Sequence, residues 1–126
     1  MNVLIVEYDE ILKKQEKNIL EKKNYIVDEA ENGYEAVLMT QIKDYDCILL
    51  DLDLPKENGL DVARKIRNLN YRTLIIVLTS KSEIYDEPEQ LDIIIDACIP
   101  KTFDMNEFVN QIEVIISKSP IHQEKI

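Results

Sequence analysis

The sequence predicts a doubly wound α/β domain, a parallel β-sheet covered by helices on both faces, and three observations carry that expectation. Short apolar runs without alternation, such as Val3 to Val6 and Cys47 to Leu50, read as strands covered on both faces of a parallel sheet. Stretches with apolar residues at helical spacing lie between such runs, so strand and helix alternate five times, which implies parallel strands joined by right-handed crossovers. Finally, 126 residues with 45% hydrophobic content suit one compact domain that needs no disulfide or metal as a staple.

The first strand, Val3 to Val6, runs directly into Glu7, Tyr8, Asp9 and Glu10. A helix from Asp9 to about Lys23 follows, with Ile11, Leu12, Ile19 and Leu20 on one face and a solvated Lys and Glu face opposite. Tyr25 to Val27 is the second strand, and Asp28 to Glu31 lead to the turn pair Asn32-Gly33. Ala36, Val37 and Ile42 mark a helix over Tyr34 to Lys43, which Asp44 to Asp46 end before the third strand. Asp51 closes that strand, and Pro55 and Asn58-Gly59 mark a loop.

The third helix follows from Leu60, Val62, Ala63, Ile66 and Leu69, with Arg64, Lys65 and Arg67 toward solvent or the helix end. Thr73 to Leu78 is the fourth strand, ending in Thr79-Ser80. Pro88 is excluded from a helix interior, so the fourth helix is placed after it, with Pro88 in its first turn. Ala97 to Ile99 is a short fifth strand leading to Pro100-Lys101-Thr102. The last helix starts at the N-cap Asp104, with Glu107 completing a capping box and Phe103 against Phe108 as a staple, and it runs to about Ser117. Residues 1–118 therefore read as the domain and residues 119–126, which contain Pro120 and no periodicity, as a tail or the start of a linker.

A net charge of −10 argues against direct nucleic-acid binding by this domain, which needs clustered Lys and Arg. The N-terminus lacks a basic region and reaches charge after four apolar residues, so neither a signal peptide nor a membrane span is expected. Cys47 and Cys98 sit far apart in apolar contexts and read as buried thiols of a reducing compartment, which points to the cytoplasm.

Open α/β sheets place their chemistry outside the carboxyl ends of the strands, so Asp51 is expected at an exposed site edge. Adjacent first and third strands would bring Glu7 to Asp9 beside it. Carboxylates gathered at one edge repel each other unless a cation compensates them, and oxygen ligands suit Mg2+. An Asp so placed can attack phosphorus to form an acyl phosphate, provided that an ammonium and hydroxyl donors neutralise the phosphoryl oxygens. Lys101 and Thr79 supply those groups from the ends of the fifth and fourth strands, with Ser80 as a further hydroxyl.

Val-Leu-Ile-Val-Glu at 3–7, Leu-Leu-Asp-Leu-Asp-Leu-Pro at 49–55 with Asn58-Gly59, Leu-Thr-Ser at 78–80, and Lys101 with Phe103 stand in a specific order. In these motifs the chain resembles the receiver domain of two-component response regulators, from residue 2 to about residue 118. The resemblance implies a flavodoxin-like (βα)5 fold with strand order 2-1-3-4-5. It also implies that Asp51 accepts a phosphoryl group from the histidine of a sensor kinase, in a signalling switch and not a turnover enzyme. Glu7, Asp51 and the main-chain carbonyl of Asp53 become the metal site, and Thr79 and Lys101 the phosphoryl contacts. Many family members carry a DNA-binding output domain, which the tail would suit as a linker.

Four positions depart from the family pattern. Tyr8 stands where a second acid is usual, and a phenol is a poor magnesium ligand. Either Asp9 or the side chain of Asp53 reaches in, or magnesium binds weakly, or the domain works unphosphorylated as a pseudo-receiver, a dimerisation or interaction module. Thr102 replaces the proline that usually follows the lysine, and a cis bond without proline costs ~3 kcal/mol, so trans is expected. Cys98 replaces the aromatic whose rotation reports phosphorylation, and Ile93-Ile94-Ile95 ends the fourth helix. The face from the fourth to the last helix is therefore expected to offer an apolar surface for homodimerisation or docking. A flavodoxin-like binder of a nucleotide or flavin is the remaining alternative, but only two glycines are present and no glycine-rich phosphate loop.

Overall fold

The computed structural model describes residues 1–69, 72–80, 94–101 and 104–119. In chain order these form β1 (Asn2–Val6), α1 (Glu10–Lys22), β2 (Ile26–Ala30), α2 (Gly33–Ile42), β3 (Cys47–Asp51), α3 (Gly59–Leu69), β4 (Leu74–Thr79), β5 (Ala97–Pro100) and α4 (Met105–Ser117). The strands make one parallel sheet in the order β2-β1-β3-β4-β5. The expected alternation and strand order are thus present among the described residues. The helix expected after Pro88, the bond before Thr102, the contact of Phe103 and the tail from residue 120 lie outside them.

Alternation along the central strands divides the core in two. Leu4, Val6, Ile48, Leu50, Ile75 and Val77 pack on one face with Ala36, Val62, Ala63 and Ile66 of α2 and α3. Val3, Ile5, Cys47, Leu49, Ile76 and Leu78 pack on the other with Leu20 of α1 and Phe108, Val109 and Ile112 of α4. Cys47 is buried as expected, and Cys98 is half-buried against the first core. Ile94 and Ile95 also belong to that core, so these two members of the isoleucine triplet face inward.

The helix ends are set by side chains. Asp9 caps α1 by accepting from Ile11 and Leu12 N, Asn32 caps α2 through Glu35 N, and Asp104 caps α4 through Glu107 N. At the end of α1, Tyr25 N donates to Leu20 O and Asn24 N to Glu21 O, while Asn24 turns through φ 70°. That is a Schellman closure, with Asn in the left-handed position usually held by Gly.

Several sequence expectations need correction. β2 extends through Asp28 to Ala30, because it pairs with the whole of β1 up to Val6 and Ala30. In α1, Lys13 and Glu16 are buried while Ile11 is 73% exposed, so the polar face is not entirely solvated. The inner face of α1 follows Lys13, Glu16 and Leu20, which fall at helical spacing. Ile42 and Leu69 end their helices exposed, beyond the reach of the core. Arg67 lies in the last turn of its helix, the second of the two placements expected for it. Its guanidinium donates to Ile94 O, Thr73 O and Asp96 Oδ2.

Candidate functional site

The register of β1 against β3 pairs Val6 with Leu50, which brings Glu7 beside Asp51 at the carboxyl edge of the sheet. Both continue the face of Val3, Ile5, Cys47 and Leu49, the face that α1 and α4 cover. Lys101 leaves β5 with its N–H donating to Thr79 O at 3.0 Å, and it projects toward the same edge. Its Nζ lies 2.7 Å from Asp51 Oδ1, 3.7 Å from Asp53 Oδ2 and 3.9 Å from Glu7 Oε1. One ammonium thus stands among three carboxylates.

Asp51 is only 2% exposed, which corrects the expectation of an exposed edge carboxylate. The side chains converging from β1, β5 and the loop after β3 close over it. Asp51 Oδ1 also accepts from Asp53 N at 2.8 Å, and this second donor fixes the carboxylate's orientation. Glu7 is buried too, and burial first, then the adjoining Asp51 carboxylate, push it up to about 9. Burial opposes the charge on Lys101, but Asp51, Glu7 and Asp53 outweigh it and hold the ammonium above the usual lysine range.

The loop after β3 is held from several sides. Leu52 N donates to Leu78 O, and Lys56 turns through the left-handed region at φ 63°. The carboxylate of Glu57 reaches across to accept from Gly33 N at 2.8 Å and Tyr34 N at 3.3 Å, which ties the loop to the start of α2. Gly59 has no positive φ. It is needed for space, because a Cβ there would stand 2.7 Å from Leu52 Cα.

The other sequence-predicted residues fall as follows. Thr79 is the buried last residue of β4. Ser80 is turned toward Asp53, with N at 3.1 Å and Oγ at 2.8 Å from Oδ2. The Asp53 side chain therefore does enter the site. Asp9 is exposed and serves as the α1 cap, with its own N–H donating to Glu7 Oε2. Tyr8 is 61% exposed and lines a cleft of about 370 Å³ with Asp9, Glu10 and Glu31, so its ring stands at the rim and not over Asp51. Cys98 lies in the first core, and Thr102 is outside the described residues.

Sequence reasoning missed Glu16 and Glu57. Glu16 was legible as the residue four before Leu20 and three before Ile19, on the inner stripe of α1. No local signal marks Glu57, whose partners are more than twenty residues away.

The donors suit a hard divalent cation. They are carboxylate oxygens at a partly open edge, and Glu7 Oε1 is buried with no hydrogen-bond partner. The side-chain set is smaller by one acid than three strand-end carboxylates would give, because residue 8 is a tyrosine, whose phenol is no carboxylate.

The family model of the response regulator receiver domain matches residues 3–113, most of the chain and every residue of this site. The chain belongs to that family. As a receiver domain it is 39% identical over 118 residues to the response regulator ArlR of Staphylococcus saprophyticus, covering 94% of this chain and 53% of that protein. The receiver thus spans about half the length of the relatives it matches. Among solved structures, a two-component response regulator from Clostridium difficile superposes with a TM-score of 0.83 at 24% identity, covering 94% of this chain and 97% of that one. The response regulator TrrA of Thermotoga maritima, solved in complex with Mg(2+)-BeF, gives a TM-score of 0.80 at 28% identity and covers 90% and 97% of the two chains. Among the described residues, no helix of this receiver is long and apolar enough to cross a membrane.

Proposed function

We propose that this receiver takes a phosphoryl group onto Asp51 from the phosphohistidine of a sensor kinase and passes the signal to an effector. The observation that carries the reading is the 2.7 Å pair between Lys101 Nζ and Asp51 Oδ1 at a buried sheet edge. A carboxylate oxygen attacks phosphorus, the P–N bond of the donor breaks, and an acyl phosphate P–O bond forms. Lys101 and Asp53 N orient the carboxylate, and the ammonium is placed to neutralise the incoming phosphoryl oxygens. Thr79 and, secondarily, Ser80 supply hydroxyls at the same edge. Glu7, Asp51 and the Asp53 carbonyl would hold Mg2+, which supplies charge neutralisation at the phosphoryl group when bound. Apart from making and losing its own acyl phosphate the domain turns over no substrate.

Residues 1–118 form the switch on this reading, and residues 119–126 begin a linker. The length of the ArlR relatives supports an output domain beyond it, a DNA-binding one if this protein regulates transcription. Such a regulator would work in the cytoplasm, and its domain-to-domain or self-association would use the face around β5 and α4. The direct test is intact mass after incubation with acetyl phosphate and Mg2+. A gain of one phosphoryl group, absent in Asp51→Asn, is expected, and no gain in the native chain would refute the reading.

The outward position of Tyr8 favours a second reading, a pseudo-receiver that signals without phosphorylation. It predicts no mass gain in the native chain and a gain once Tyr8→Asp restores the acid.

A further inference from the structure

We propose that the outer face of α2 is a homodimer interface, on which two copies of this receiver pair antiparallel about a two-fold axis at Leu38. The inference stands apart from the phosphoryl-transfer reading, because α2 packs on β1 and β2, at the edge of the sheet opposite β5.

α2 is apolar on two sides. Ala36 is buried and Val37 and Met39 pack against the core, which accounts for the inner side. On the outer side Tyr34, Leu38 and Ile42 fall four residues apart, one turn above another, and are 72%, 40% and 86% exposed. A helix apolar all round is the pattern of a buried helix, yet no described residue covers this stripe. Ile26, 60% exposed, extends it at the sheet edge. It shares a face of β2 with Asp28, and Asp28 is bonded at 3.0 Å by Lys43, the residue that ends α2.

Charge selects a second copy as the occupant. The chain carries a net charge of −10, and α1, α3 and α4 bear charged side chains along their exposed sides, so most pairings of two copies set like charges together. From Ala36 to Ile42, α2 has no charged residue. Its ends are complementary, with Glu31 and Glu35 at the start and Lys43, still 42% exposed beside Asp28, at the finish. Antiparallel pairing about Leu38 brings Lys43 of each copy to the acidic end of the other and opposes the two helix dipoles. It also seats Tyr34 against Ile42 of the other copy, since both stand four residues from the axis. The four apolar side chains expose on the order of 500 Å² per copy, so a pair buries about 1,000 Å², the lower limit of specific interfaces. The dimer is therefore weak, and concentration sets its population.

The test is sedimentation velocity of the full chain, without phosphodonor, from about 10 μM to 1 mM, the range suited to an interface near that limit. A monomer–dimer equilibrium is expected. Ile42→Lys alters a side chain too exposed to matter to the fold, and Leu38→Glu sets two carboxylates against each other at the axis. Each should weaken dimerisation about tenfold or more. Val114→Glu, on the exposed side of α4, should leave it unchanged. On mild oxidation Leu38→Cys should cross-link to its own copy, whereas Ile42→Cys, about 12 Å from its counterpart, should not, and the reverse pattern overturns the two-fold pairing. A native chain that stays monomeric throughout overturns the proposal and leaves the stripe to a partner other than a second copy. A dimer that survives both Ile42→Lys and Leu38→Glu, or that is lost in Val114→Glu, puts self-association on another face and overturns it as well.

Discussion

Lys101 Nζ lies 2.7 Å from Asp51 Oδ1, so the carboxylate proposed as the phosphoacceptor of this receiver is held in an ion pair inside the protein. The pair joins the end of β3 to the residue after β5, across the intervening β4. It is both a stabilising contact and the preorganised charge that a phosphoryl group would meet.

Lys101→Met leaves Asp51 and Glu7 buried without their shared cation. Breaking such a pair costs about 3–5 kcal/mol when fully buried, and the 19% exposure of the lysine side chain places the expected loss at the lower end. Urea unfolding at neutral pH measures it, and a loss under about 1 kcal/mol would show that the pair contributes little.

Glu16→Leu should stabilise the domain, by ~1–3 kcal/mol, as replacing a buried carboxyl that has no hydrogen-bond partner by an apolar residue removes its desolvation cost. The sign of its pH dependence follows from the raised native value. With Glu16 at about 8 in place of 4.5, the folded state holds the proton more tightly, so stability is in full below about pH 4.5 and falls as pH rises through about 8. Glu7, raised to about 9, adds a decline in the same direction. The gain from Glu16→Leu should therefore be larger at pH 9 than at pH 5, and equal gains would contradict a buried titrating Glu16.

Tyr8→Asp adds an ionised oxygen at the rim beside Glu7 and should raise Mg2+ affinity about tenfold, ~1.4 kcal/mol for one added charge at a partly exposed position. Tyr8→Phe should leave affinity as it is, since the exposed phenol contributes no ligand. Titration calorimetry reads both, and an unchanged Tyr8→Asp would mean that the outward backbone direction of residue 8 keeps any acid from the site.

Arg67→Ala should cost about 2 kcal/mol in urea unfolding. It removes the donors to Ile94 O, Thr73 O and Asp96 Oδ2, and leaves two partly buried carbonyl acceptors behind, while the exposed Asp96 carboxylate regains water. Because those bonds join α3 to the entrances of β4 and β5, the loss should leave phosphorylation of the surviving folded protein largely intact.

The strands, their order along the chain and the converging site residues were legible because they rest on local pattern. Unbroken apolar runs mark Val3 to Val6 and Cys47 to Leu50, and the acids at their ends follow directly in sequence. Asp104 announced its helix by capping chemistry and its cap is present, and Asp9, read as the start of the first helix, caps it in the same way. Errors of extent came where pairing overrode composition. Asp28 and Glu29 look like loop residues and are strand residues because Leu4 and Ile5 pair with them.

By itself, then, the sequence determined the alternating parallel architecture and the strand-end positions of Glu7, Asp51, Thr79 and Lys101, since period and residue type are local properties. Only the tertiary structure decided how those groups are solvated and paired. Asp51 is buried under Lys101, Tyr8 turns to the rim, and Glu16 turns inward, because burial and charge balance depend on which elements pack against one another and no stretch of sequence carries that information alone.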